Sequence, residues 1–117
     1  MRYMMLIYDN EAHAESQSEA ERNAMFEEYF AFSREVREKG AFKAGDPLMP
    51  TTSATTVRVK DGKRLTTDGP FAETKEQLGG YYILDCKTLD EALAFAAKIP
   101  AARYGCVEVR PIMEMGG

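Results

Sequence analysis

The 117-residue chain has no tryptophan, one histidine and only two cysteines. Cys86 and Cys106 cannot form a disulfide framework, and two free thiols fit a reducing cytoplasm. One His and two widely spaced Cys do not supply the four ligands of a zinc site, so no metal is expected. A single His also removes the usual base of many hydrolytic mechanisms. There is no Ser-His-Asp set, no phosphate-binding loop and no dinucleotide fingerprint, so no cofactor is expected. No apolar run approaches membrane-spanning length. The apolar start, Tyr3 to Tyr8, is shorter than the core of a signal peptide, and no small-residue cleavage site follows it. A cytoplasmic protein is expected. Basic side chains are outnumbered, 15 against 19 acidic, for a net charge of −4. That balance argues against a nucleic-acid backbone or an anionic membrane as partner.

Apolar residues make up 44% and charged residues 29%, as in an ordinary globular protein, and the length suits one domain over 1–117. Arg2 to Tyr8 is a continuous apolar strand, which expects cover on both faces. Residues 10–18 are polar and read as a loop. Ser18 and Glu21 have capping-box spacing, so a helix is predicted from there to Lys39, with Gly40 just past its end. Met25, Phe26, Tyr29, Phe30, Phe32, Ser33 and Val36 form its broad apolar stripe, which reads as core rather than as a cofactor box. A second strand is predicted over Ala41 to Leu48, weakened by Gly45 and ended by Pro47 and Pro50.

Thr55 to Lys60 alternates cleanly, Asp61-Gly62 is a strong hairpin turn, and Lys63 to Thr67 returns. The many Thr, Arg and Lys residues place this hairpin near an exposed edge. Gly80 to Cys86 is the next core strand. Thr88 and Glu91 cap a second helix whose stripe is Leu89, Ala92, Leu93, Ala96 and Ile99, bounded by Pro100. Cys106 to Arg110 is the last strand. The order strand, helix, strand, hairpin, strand, helix, strand predicts an α+β, ferredoxin-like split βαβ arrangement with a central hairpin. Right-handed crossovers put both helices on one sheet face. The other face then needs a cover, and a homodimer joined through its sheet faces would provide it.

Between hairpin and last core strand lies the stretch that organises the chain, Asp68 to Ile83: DGPFAETKEQLGGYYI. Asp68, Gly69 and Pro70 form a turn signal. Phe71 follows as an apolar anchor, expected in the core, so that its truncation would cost about 3–5 kcal/mol. A charged run then leads through Gly79-Gly80 into the strand. From residue types alone it reads as either a binding loop on a rigid scaffold or a plain solvated connection.

This stretch resembles the signature of the YCII-related family, in the branch named for its DGPF segment. The ends, MRYMMLIYDN and GCVEVRPIM, agree with it. The resemblance implies a ferredoxin-like fold pairing into a dimeric α/β barrel. It implies little chemistry, because roles in the family are mostly unassigned, and it implies a regulatory setting through a link with extracytoplasmic-function sigma factors. Members of the broader type are similar in pairing an Asp after the first strand with a His early in the first helix. Asp9 matches the Asp. Counting back from Gly40, Tyr29 stands at the His position, and His13 falls in the preceding loop, where it reads as solvated.

The candidate ligand-binding residues are therefore Asp9, Tyr29, Asp46 and Asp68 around one cleft, with Glu73 or Lys75 reaching in from the signature loop. No catalytic residue is assigned. Two functions compete. One is a small-molecule-binding protein. The other is a non-catalytic regulatory or interaction module, for which the missing dyad His speaks.

Overall fold

The computed structural model describes residues 1–116. The chain folds as an α+β protein compatible with a ferredoxin-like or barrel-type arrangement. Strands β1 (Arg2–Asp9), β2 (Phe42–Pro47), β5 (Gln77–Asp85) and β6 (Cys106–Pro111) make one sheet in the order β2-β5-β1-β6, with every pair antiparallel. Strands β3 (Thr55–Lys60) and β4 (Lys63–Asp68) form a separate two-stranded sheet. Helices α1 (Glu11–Ser16), α2 (Glu19–Glu38) and α3 (Leu89–Lys98) complete the elements, with short 3₁₀ turns at Thr51–Ser53 and Pro100–Arg103. Among the described residues no helix is long and apolar enough to cross a membrane.

The core follows from strand periodicity. Successive side chains point to opposite faces, and Tyr3, Met5 and Ile7 of β1 are buried on the same side as Tyr82 and Leu84 of β5. They pack with Phe32 and Val36 of α2, Ala92, Phe95 and Ala96 of α3, and Ile99. Met5, Leu84, Val36 and Ile99 are wholly excluded from solvent. Burial of one such side chain contributes about 1.5–3 kcal/mol. The alternate residues of β1, Met4, Leu6 and Tyr8, are only half covered, because no helix lies on that face.

Local chemistry explains the boundaries. Ser18 accepts from the Glu21 amide while the Glu21 carboxylate accepts from the Ser18 amide, so α2 starts on the predicted capping box. Asp61 and Gly62 both have positive φ, 52° and 74°, which matches the twist of the β3–β4 ribbon. Gly45 sits beneath the Tyr82 ring; a Cβ there would lie 2.6 Å from the ring. That close approach lets Tyr82 meet Phe32 edge-on at 5.0 Å and hydrogen-bond Ser33 at 2.9 Å.

Four expectations are corrected. Residues 11–16 are helical rather than loop, because the Asn10 side chain caps the Ala12 amide at 2.9 Å and Glu11 sits in the first turn. The α2 stripe is narrower than expected: Phe26 and Phe30 are exposed, since only one side of the helix meets the sheet. Of the stripe expected on α3, Leu89 and Leu93 are exposed, and Phe95 takes the core position at the i, i+3, i+4 spacing of Ala92, Phe95 and Ala96. Phe71 is 78% exposed and anchors nothing in the core of this chain.

Strand β5 also begins at Gln77, three residues before Gly80, so the end of the signature stretch is strand rather than loop. Between Ile7 and Tyr8 the pairing with β5 slips: Ile7 faces Gly80, but Tyr8 faces Leu78, which leaves Gly79 as the extra residue of a bulge. Bulges twist a strand and re-aim the side chains beyond them. Here the residues beyond are Asp9 and Gln77, which face each other.

Candidate functional site

A cavity of about 270 Å³ opens beside that bulge. Strand parity puts Asp9 on the side of Ile7, toward the helices, at the point where β1 ends. Ile7, Met25 of α2, Leu48, Met49 and Pro50 provide apolar walls, and Asp9, His13, Tyr29 and Gln77 bring polar atoms into it.

The geometry centres on Asp9. Its Oδ1 accepts from the Asn10 amide at 2.7 Å, and its Oδ2 lies 3.2 Å from His13 Nδ1. Asn10 caps the short helix and so turns His13, four residues after Asp9, back over that carboxylate. With Asp9 ionised the carboxylate accepts the Nδ1 proton. Nε2 is then the basic nitrogen of a residue that lines the cavity. The imidazole is also held against Tyr104, ring centroids 4.9 Å apart. His13 and Asp9 side chains are about one-third exposed, 33% and 30%, so the pair is reachable from solvent without being free in it.

The surrounding groups lock the frame. Gln77 Oε1 accepts from the Glu11 amide at 2.9 Å, and its Nε2 donates to the Thr74 carbonyl at 2.6 Å. The Glu11 carboxylate accepts from both the amide and the hydroxyl of Thr51, at 2.8 and 2.9 Å. These bonds tie β5, the first turn of α1 and the Pro50–Thr51 turn together around the opening. Burial pushes the Tyr29 phenol up to about 12, helped by Tyr82 and Asp9 and opposed by a backbone hydrogen bond at Ala101 and by Arg103. Tyr29 therefore stays protonated at neutral pH and serves as a neutral donor, not a base. Among the described residues, no Lys or Arg lines the cavity.

Of the six sequence candidates, the structure brings Asp9 and Tyr29 to this cavity. Asp46 is exposed on β2, where its carboxylate accepts from Tyr81 at 2.8 Å and raises that phenol's pKa. Asp68 is exposed at the end of β4, opposite Thr55. Glu73 and Lys75 are exposed between β4 and β5. None of these four lines the cavity. The expectation of a solvated loop histidine is corrected. His13 is half-buried in a short helix, with its Nδ1 3.2 Å from the Asp9 carboxylate. The available signal was Asn10 as a helix cap with Asp9 and His13 four apart; the polar composition of 10–18 hid it. Gln77 and Glu11 were also missed, because only the bulge aligns them.

An α+β domain with a His-Asp pair at the open end of its first strand is thus the class that fold and site define. The chain belongs to the YCII-related domain family, whose model matches residues 1–116. It is also similar to an uncharacterised protein of Rhizobium meliloti (strain 1021), at 41% identity over 114 residues, spanning 96% of this chain and 92% of that protein.

Proposed function

We propose that the cavity binds a small, largely apolar organic molecule without negative charge, and that Asp9 and His13 move a proton on it. The carrying observation is the 3.2 Å Asp9–His13 pair on the wall of a largely apolar cavity that, among the described residues, no Lys or Arg lines. Carboxylates without a balancing Lys or Arg repel a phosphate or carboxylate ligand and tolerate a neutral or cationic one. Asp9 orients the imidazole, Nε2 takes or returns the proton, and the Tyr29 hydroxyl donates to an oxygen of the ligand. Asp46, Asp68, Glu73 and Lys75 belong to the proposal only as groups outside the cavity that a second copy could bring toward it.

The accompanying architecture is a split βαβ fold of the DGPF-bearing branch, supported by Asp68 to Glu76, and a homodimer through sheet faces. Half-covered Met4, Leu6, Tyr8 and Ile83 support that pairing. Free thiols at Cys86 and Cys106 support a reducing, cytoplasmic setting. A second reading, an interaction module of the kind linked to extracytoplasmic-function sigma factors, draws on exposed Phe26 and Phe30 of α2.

The test follows the chain's one histidine, which gives a single imidazole signal in NMR of tag-free protein. A fragment library split into neutral, cationic and anionic sets is titrated. Neutral or cationic fragments should shift the His13 signal, and Asp9→Asn should weaken those hits. Hits confined to anionic fragments, or none that move His13, would overturn the reading.

A further inference from the structure

Among the described residues, the β3–β4 hairpin makes no extensive contact with another element of its own chain. Its own base is closed by the Gly69 amide, which donates to the Ala54 carbonyl at 2.7 Å, and by the Thr56 hydroxyl, which donates to the Gly69 carbonyl at 2.8 Å. The chain's radius of gyration is 16.3 Å. A compact chain of this length has about 13 Å. Its extents are 48 × 47 × 18 Å, so the hairpin extends a flat molecule sideways. An isolated two-stranded ribbon is marginal in water and needs something to pack against.

The ribbon carries the means to do so. Val57 and Val59 lie on one face and are 56% and 72% exposed, across from Thr66 and Arg64. Four cations, Arg58, Lys60, Lys63 and Arg64, outnumber Asp61 and Asp68 in the hairpin. The rest of the chain has 11 basic and 17 acidic side chains, the hairpin's six charges being removed from the totals of 15 and 19. A basic, apolar ribbon therefore complements the acidic body of the same protein. A flat molecule stacked on a copy of itself would also bring each sideways ribbon alongside the other body.

We propose that the hairpin is a clasp, laying Val57 and Val59 of each protomer on the body of a second copy. Two-fold symmetry makes the exchange reciprocal. The clasp rests on the sheet-face dimer proposed above and not on the ligand reading.

The experiment places photoreactive benzoylphenylalanine at Val59 in the full chain and mixes isotope-labelled with unlabelled protein before irradiation. Mass spectrometry should find the hairpin joined to peptides of the other isotopic form. A Val57→Asp, Val59→Asp double variant should raise the dimer dissociation constant at least about tenfold, and rising salt should weaken the wild-type dimer. Cross-links only within one chain, or none, with a dimer still seen by light scattering, would overturn the clasp and leave face pairing intact. A monomer at all concentrations would overturn both. If circular dichroism shows the double variant unfolded, the cross-linking result, obtained with the other hairpin residues unchanged, decides.

Discussion

Tyr29 illustrates how one residue's surroundings set its behaviour. Its phenol ionises near 10 in an unfolded chain and at about 12 in the fold, mainly because burial disfavours the anion. The folded state therefore holds its proton more tightly. The stabilisation is fully present below pH 10 and is lost as pH rises from about 10 to 12. Discounted for its partial exposure, it is about 1–2 kcal/mol. Denaturation at stepwise alkaline pH should show a steeper loss for the wild type than for Tyr29→Phe over that window. Equal slopes would mean the phenol is not held as described.

At the scale of the element, α2 sets two neighbouring phenylalanines in opposite environments. Phe32 is 5% exposed and packs on Tyr82, whereas Phe30 is 66% exposed. Phe32→Ala should cost about 3–5 kcal/mol and Phe30→Ala under about 1 kcal/mol, measured by urea unfolding. Similar losses for both would contradict the rotation of α2 described here. The helix's start was legible, because a capping box is a local pattern. Which aromatics face the core was not, because periodicity defines a stripe and only the sheet's position selects the covered part. The same limit applies to α3, where Phe95 rather than Leu93 is buried. Short α1 was hidden for another reason: six polar residues carry no apolar stripe, and their helix depends on the Asn10 cap.

The whole molecule presents a sheet with helices on one face and a projecting ribbon. Size exclusion with light scattering at low micromolar concentration should report about twice 13.1 kDa. A folded species at 13.1 kDa would remove the cover proposed for Met4, Leu6 and Ile83. The exposure of Phe71 belongs to this scale. A large apolar residue after a turn is a reasonable core anchor from sequence, but Phe71 lies in the segment between the separate β3–β4 sheet and β5 and is largely open to solvent.

The six strands, helices α2 and α3, the hairpin turn at Asp61-Gly62 and the α2 cap came from the sequence alone, since each depends on residues within a few positions of one another. Asp9 and Tyr29, read from the sequence as a strand terminus and a member of a helical stripe, both line the cavity. Tertiary structure decided the rest. The Gly79 bulge sets Gln77 opposite Asp9, the sheet selects the buried side of α2, and the turn at Asn10 folds His13 onto Asp9. Asp68 ends a strand just as Asp9 does and Asp46 lies one residue before the end of another, yet of the three only Asp9 lines the cavity. Register and facing, which decide that difference, are set by pairing between residues far apart in the chain.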